Sequence, residues 1–381
     1  MGPVANILAG GLLTVLVSLA LGKLLLRGLR LELFRQEEYI FSFVSGAGLL
    51  SLIVFLLAAA HQARKGVFIG LGLVILAAAF WRGVHRSSRP SLPPVPLLWR
   101  ALFWTVFTVF TVLYFFNAMA PEISPDANTY HLGLTAKYLR EHGFRRFTNN
   151  MYGNLSQGAE MLFLYAFSIG RHSAAALTHF WFLVTLPLAI LCYARRFGFP
   201  SAGAAAAVFA YCTPVVGIDG ISAYNDVAVA TVVFTLFYVL QVWDETGQRG
   251  LLILTGVLAG FAYAIKYTAF LALPYAAGFV VWRLARRRKP WLKAALVVCM
   301  TALVSIVPWM AKNALWLNNP FSPFLNKWFP NPFVHVSFEE IYGYHMRHYP
   351  GIESYTQLPL ELTIRGNLLC GFLGPLFLLA P

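Results

Sequence analysis

Ala159-Glu160-Met161-Leu162-Phe163-Leu164-Tyr165-Ala166-Phe167-Ser168-Ile169-Gly170 is the stretch on which the fold turns. It is apolar almost throughout, yet a helix needs about 20 such residues to cross a bilayer, and this run offers little more than half of that. It reads as a half-helix, lying at the interface or re-entering without crossing. The side on which every later loop emerges depends on that reading.

The surrounding chain has the composition of a polytopic membrane protein. Of 381 residues, 59% are hydrophobic and only 12% charged, with a mean hydropathy of +0.65. An ordinary soluble domain carries about 25% charged residues. The predicted fold is therefore all-α, with about eleven transmembrane helices at the length a bilayer demands. The candidate runs are 4–22, 39–60, 67–81, 100–118, 174–194, 201–218, 225–243, 250–265, 268–283, 294–314 and 365–381. The first is read as a span, because no short apolar stretch with a cleavage site stands apart from the rest. Residues 1–99 form three N-terminal helices of unassigned role, and 100–381 a core. The last run stops at Pro381 without a basic flank and reads as a chain cut short.

A net charge of +14, from 29 Lys and Arg against 15 Asp and Glu, would suggest nucleic acid in a soluble protein. Here the basic residues gather in short loops between apolar runs, so they report topology, and no nucleic-acid partner is expected. Arg82, Arg86, Arg89 and Arg100 mark one loop, Arg195 and Arg196 another, and Arg283, Arg286, Arg287, Arg288, Lys289 and Lys293 a third. Placing these in the cytoplasm sends 119–173, Asp219–Asp226, the turn at Lys266 and 315–364 to the opposite face, provided that 159–170 does not cross. The Arg64-Lys65 loop then falls on the outer face, a minor cost. The four cysteines, Cys192, Cys212, Cys299 and Cys370, stand singly in apolar runs and read as small buried hydrophobes.

The outer face opens with Ser124-Pro125-Asp126-Ala127-Asn128-Thr129-Tyr130-His131. Ser124 suits an N-cap, Pro125 the first helical position, and Asp126 the positive end of a helix dipole. Gly143 suits the stop. A regular helix from Asp126 to His142 puts Asp126, Tyr130, Gly133, Lys137 and Arg140 on one face at about 100° per residue, and His131 off it. That amphipathic stripe offers a carboxylate, two cations and a glycine that permits close approach. Helix-start and helix-end charges complementing the dipole would produce the same pattern.

Pro-Asp-x-x-x-Tyr-His, followed by a helix ending in His-Gly, resembles the first outer loop of GT-C superfamily membrane glycosyltransferases. Gln157-Gly158-Ala159-Glu160 is similar to their membrane-dipping segment, and Asn225-Asp226 to their second acidic site. Gly256-x-x-x-Gly260 with Lys266-Tyr267-Thr268 resembles the RgtA/B/C/D-like branch, related to aminoarabinose transferase and protein mannosyltransferases. So does Asn318-Asn319-Pro320-Phe321-Ser322-Pro323, with Asn318 where that branch has glycine. The resemblance runs from about residue 100 to 330.

It implies a GT-C-like bundle that moves a sugar from a polyprenyl-phosphate donor to an acceptor hydroxyl on a lipid, a glycan or a protein. The expected setting is a bacterial plasma (inner) membrane, with the site facing outside the cytoplasm. It also implies that Asp126 and Asp226 are catalytic, and that Tyr130, His131, Lys137, Arg140, Glu160 and Lys266 bind substrate. Asp126 lacks the adjacent second acid of some family members, which leaves the cofactor open. A divalent metal ion would find candidate ligands in Asp126, Asp226, His335, Glu339 and His345, although their spacing matches no strong motif. Cations such as Lys266 would steady a departing phosphate, and Asp126 would take the acceptor's proton. The alternative is a lipid-linked-sugar flippase or small-molecule transporter, which would place polar residues along an internal path.

Overall fold

The computed structural model describes residues 2–84, 89–148, 150–334, 336–348, 351–352, 354–368 and 371–379. Arg86, His335 and Cys370 lie outside the described residues. Among the described residues the chain is helical, with no strand. The principal helices are α1 (Pro3–Gly28), α2 (Arg35–Ala59), α3 (Lys65–Trp81), α4 (Leu97–Met119), α5 (Leu132–Arg140) and α6 (Gly158–Arg196). They continue with α7 (Pro200–Cys212), α8 (Pro214–Ile221), α9 (Asp226–Thr246), α10 (Gly250–Ile265), α11 (Ala272–Arg286), α12 (Leu292–Leu317) and α13 (Val336–Arg347).

Seven helical segments among the described residues are long and apolar enough to cross a membrane: α1, α2, α4, α6, α9, Tyr267–Arg286 and α12. α7 and α8 make an eighth if their 62° bend at Thr213-Pro214 lies within one span. α3 and α10 are apolar but shorter. The expected count of eleven is therefore not confirmed among the described residues. The clearest departure is the run 365–381. There a π-turn over Glu361–Arg365 ends at Gly366 (φ 67°), and Leu373 N–H returns to the Leu362 carbonyl at 2.7 Å. Gly374 then takes φ 105° before a 3₁₀ turn at Pro375–Leu379. Apolar composition alone does not make a helix where glycines at positive φ and a proline interrupt it.

The run 159–170 is a separate helical piece. α6 breaks at Arg171, whose φ 64° and ψ −149° are foreign to a helix and belong to a region that costs a non-glycine residue about 1–3 kcal/mol. The first piece is buried along nearly its whole length. It packs against α1, α2 and α5 and is enclosed by protein. Ser51 of α2 donates to the Gly158 carbonyl at 2.8 Å.

The two ends of the bundle differ in chemistry. α9 has 21 residues, about 30 Å at 1.5 Å per residue, close to the thickness of a bilayer's hydrocarbon core. Asp226 is at its start. At its other end Asp244 accepts from Arg283 at 2.7 Å and from Arg287 at 2.9 Å, while Glu245 accepts from Arg196 at 2.8 Å. Arg195 donates to the Leu92 and Pro93 carbonyls there. Arg64-Lys65 sits at the Asp226 end, where Ala63 N–H reaches the His142 carbonyl at 2.8 Å.

Within the basic end, Glu37 is fully buried. Its carboxylate accepts from Arg196 at 2.8 Å, Tyr238 at 2.6 Å and its own helix's Phe34 N–H at 2.9 Å. Those bonds tie α2 to α6 and α9, so the N-terminal helices are packed into the core. Glu37→Gln keeps the shape and removes the charge. Thermal unfolding of the purified protein should show a loss of about 2 kcal/mol, the scale of a hydrogen bond to a charged group.

α10 meets α12 through Gly256 and Gly260. A Cβ on Gly260 would lie 2.4 Å from the Ala302 carbonyl oxygen, so only glycine allows this approach.

Candidate active site

The end of the bundle opposite the basic loops holds a cavity of about 400 Å3. Several chain segments build it, among them the Met151–Asn154 turn with Tyr152 and the residues that follow. The turn before α5 supplies Asp126, Tyr130 and His131; the start of α6 supplies Glu160; the link between α8 and α9 supplies Tyr224, Asn225 and Asp226. The residues after α10 supply Lys266, and α13 supplies Tyr342.

The local backbone explains which side chains arrive. The helix after Pro125 is not regular, because Ala127–His131 forms a π-turn closed by Leu132 N–H on the Ala127 carbonyl. The wider turn rotates everything beyond it relative to Asp126. Gly133 makes this feasible, since a Cβ there would stand 2.6 Å from the Asn128 oxygen. His131, which a regular helix would turn away, is 4% exposed and faces the cavity. Lys137 and Arg140 do not. The Lys137 ammonium sits over the Phe147 ring at 5.2 Å, and Arg140 lies 3.9 Å from Glu141 with most of its side chain exposed.

Each remaining candidate has a definite setting. His131 Nδ1 donates to Glu160 Oε1 at 2.5 Å, and Asn225 Nδ2 reaches the same oxygen at 3.3 Å. Glu160 Oε2 is buried without a partner among the described residues. Lys266 Nζ donates to Asp226 Oδ1 at 2.5 Å, and both side chains remain partly open to the cavity. Tyr130 stacks on Tyr152 with ring centroids 4.1 Å apart. Burial, and next the Asp126 carboxylate beside it, push the Tyr130 phenol well above its ordinary value, so it stays a neutral hydrogen-bond donor. Lys137→Ala should leave any turnover within about twofold, since it removes one cation–π contact at the flank. An initial-rate comparison checks this.

Several contributors escaped the sequence reading. Glu122 is spent on backbone: it accepts from Ser124 N–H and Ala223 N–H, both at 2.9 Å, clamping the first loop to the α8–α9 link. Ser124 is not a cap, because its hydroxyl meets the Tyr224 hydroxyl. Asp219 also lines the cavity and accepts from Val227 N–H at 2.7 Å, capping α9. His179, fully buried, accepts from Ala228 N–H at 3.2 Å, and its other ring nitrogen lies 2.9 Å from the Ser222 carbonyl oxygen. For Glu122 and Asp219 the available signal was an acid a few residues before a helix start, whereas His179, in the middle of α6, gave none.

Among the described residues, no three of His, Cys, Asp and Glu stand close enough to hold a metal ion. Glu339, one candidate ligand, is committed to the Leu325 and Asn326 N–H groups at 2.6 and 2.9 Å. The ring of His345 packs edge-on to Tyr344. Among the described residues these candidates form no metal centre.

Carboxylates facing a lysine, a histidine and several tyrosines at the end of an apolar bundle suit transfer of a group between a charged leaving group and a hydroxyl. Residues 161–310 match the family model described as dolichyl-phosphate-mannose-protein mannosyltransferase. The match supports a GT-C-like membrane glycosyltransferase that draws on lipid-linked sugar donors. The matched stretch contains Asp226 and Lys266, whereas Asp126 and Glu160 precede it. No curated protein and no solved structure matches the chain.

Proposed function

We propose that the protein moves a sugar from a polyprenyl-phosphate donor to an acceptor hydroxyl, on the extracytoplasmic face of a bacterial plasma membrane. The observation that carries this reading is the meeting of Asp126, Glu160, Asp226 and Lys266, from four distant segments, in one cavity at the end opposite the arginine-rich loops. The positive-inside tendency favours the basic end as cytoplasmic.

The bond between the sugar's anomeric carbon and the phosphate oxygen breaks, and a bond to the acceptor oxygen forms. Negative charge grows on the leaving lipid phosphate. Lys266 supplies fixed positive charge to it, and Asp226 holds the ammonium in place, leaving two of its three N–H donors for the phosphate. Asp126, exposed at the cavity mouth and unencumbered by an ion pair among the described residues, takes the acceptor's proton. His131, fixed by buried Glu160, and the Tyr130–Tyr152 stack form a wall suited to a sugar ring.

The reading is tested by reconstituting the protein with a radiolabelled polyprenyl-phosphate hexose and a membrane lipid extract as acceptor. Label should leave the donor and appear in a new product. Movement of intact donor across the bilayer without cleavage would instead favour a flippase and contradict the proposal.

A further inference from the structure

The positive charges at the basic end of the bundle are not equivalent. Arg283 and Arg287 both hold Asp244, Arg196 holds Glu37 and Glu245, and Arg195 is spent on the Leu92 and Pro93 carbonyls. The turn between α11 and α12 differs. Arg286, Arg288, Lys289 and Lys293 are all exposed there, and none of them has a carboxylate partner among the described residues. The acid at this corner, Asp244, already faces two guanidinium groups. A run of like charge without counter-ions in the protein asks for them from outside.

The turn that carries them is fixed. Arg288 takes φ 53°, its N–H returns to the Ala285 carbonyl at 2.9 Å, and the Lys289 N–H returns to the Leu284 carbonyl at 2.9 Å. That pair of bonds closes a helix end, so the charges project from ordered backbone. Apolar surface lies directly beside them. Trp282 and Trp291 are 50% and 42% exposed, and the Arg286 guanidinium lies over the Trp282 ring at 5.8 Å. Leu292, Leu296 and Met300 continue as an exposed stripe along one face of α12. Tyr267–Arg286 and α12 are both long and apolar enough to cross a membrane. Their junction therefore holds its tryptophans and cations at the depth of the lipid headgroups, and the stripe at the depth of the acyl chains.

We propose that this corner binds an anionic phospholipid of the leaflet at the basic end. Its phosphodiester supplies the negative charge that the turn lacks, and its glycerol and chains lie against the tryptophans and the stripe. A zwitterionic lipid brings its own cation to the same place and gains less. A free anion would engage the cations alone, whereas a lipid in the plane of the tryptophans engages both. The corner is at the opposite end of the bundle from the cavity, and the inference does not depend on sugar transfer.

Photolabelling of the full chain in phosphatidylcholine nanodiscs tests it. The probes are diazirine-bearing phosphatidylglycerol and the matching phosphatidylcholine, with labelled residues mapped by mass spectrometry. Phosphatidylglycerol should label residues 282–300 at least about fivefold above phosphatidylcholine, the scale of one basic residue at an anionic surface. Replacing Arg286, Arg288, Lys289 and Lys293 together by Gln should bring that preference to about one, while the apparent Tm holds because all four side chains are exposed. A control variant with Arg30, Arg35, Arg82 and Arg100 replaced by Gln loses the same charge from other exposed positions. It should keep the preference within about twofold, because charges beyond a Debye length are screened. Should the first variant fail to insert, Arg286→Gln with Arg288→Gln, and Lys289→Gln with Lys293→Gln, should each lose part of the preference. Equal labelling by the two lipids or an equal loss in the control variant would overturn the proposal. So would displacement of the lipid by inorganic phosphate at constant ionic strength, which would give the cations to a free anion.

Discussion

Asp126→Asn is expected to lower transfer by about 10²–10⁴-fold, the usual contribution of a positioned general base, with folding and membrane insertion intact. The side chain is exposed, in the first turn of the helix that Pro125 opens, it caps no backbone N–H, and the substitution keeps its volume. Stability should therefore change little. The loss should fall on turnover more than on donor affinity, because the base acts on the acceptor. Initial rates across donor and acceptor concentrations separate the two. A variant with full activity would remove Asp126 from catalysis.

Lys266→Ala is expected to lower kcat/KM for the donor by about 10²–10³-fold, the scale of losing one electrostatic contact to developing charge. It also strips Asp226 of its partner at 2.5 Å and leaves a carboxylate facing the phosphate. Lys266→Arg should recover part of the loss, since it restores the positive charge. Because a departing phosphate gains charge, the defect should show in turnover as well as in binding. Unchanged donor affinity and turnover in the alanine variant would dismiss the phosphate role.

Much of the bundle was legible in the sequence, because crossing helices must be long and apolar and their ends must carry the charge. The half-helix followed from length alone, and the chain does break at Arg171, directly after the run that was too short. The run 365–381 misled for the same reason: its composition is apolar, but Gly366, Gly371 and Gly374 all take positive φ. Hydropathy reports solvent preference and is silent on backbone geometry.

The cavity was legible only in part. Asp126, Tyr130, Glu160, Asp226 and Lys266 stood out as rare polar residues near span ends, and the structure gathers them. The π-turn at Ala127–His131 could not be read from a regular periodicity. It is what brings His131 inward and leaves Lys137 and Arg140 outside. Lys312 went unnoticed altogether. It is 7% exposed, donates to the Gly153 carbonyl at 2.8 Å, and lies over the rings of Phe144 and Trp309. It anchors the turn that carries Tyr152, the partner stacked on Tyr130. A lysine inside an apolar run gives no hint of such a latch until the loop that it holds is in place.

The most direct test of the central claim is mass spectrometry of lipid extracts and glycans from cells expressing the wild-type chain or Asp126→Asn at equal levels. The variant should accumulate the polyprenyl-phosphate sugar and lose one glycosylated product that the wild type makes. Identical lipid and glycan profiles in the two would contradict sugar transfer at this cavity.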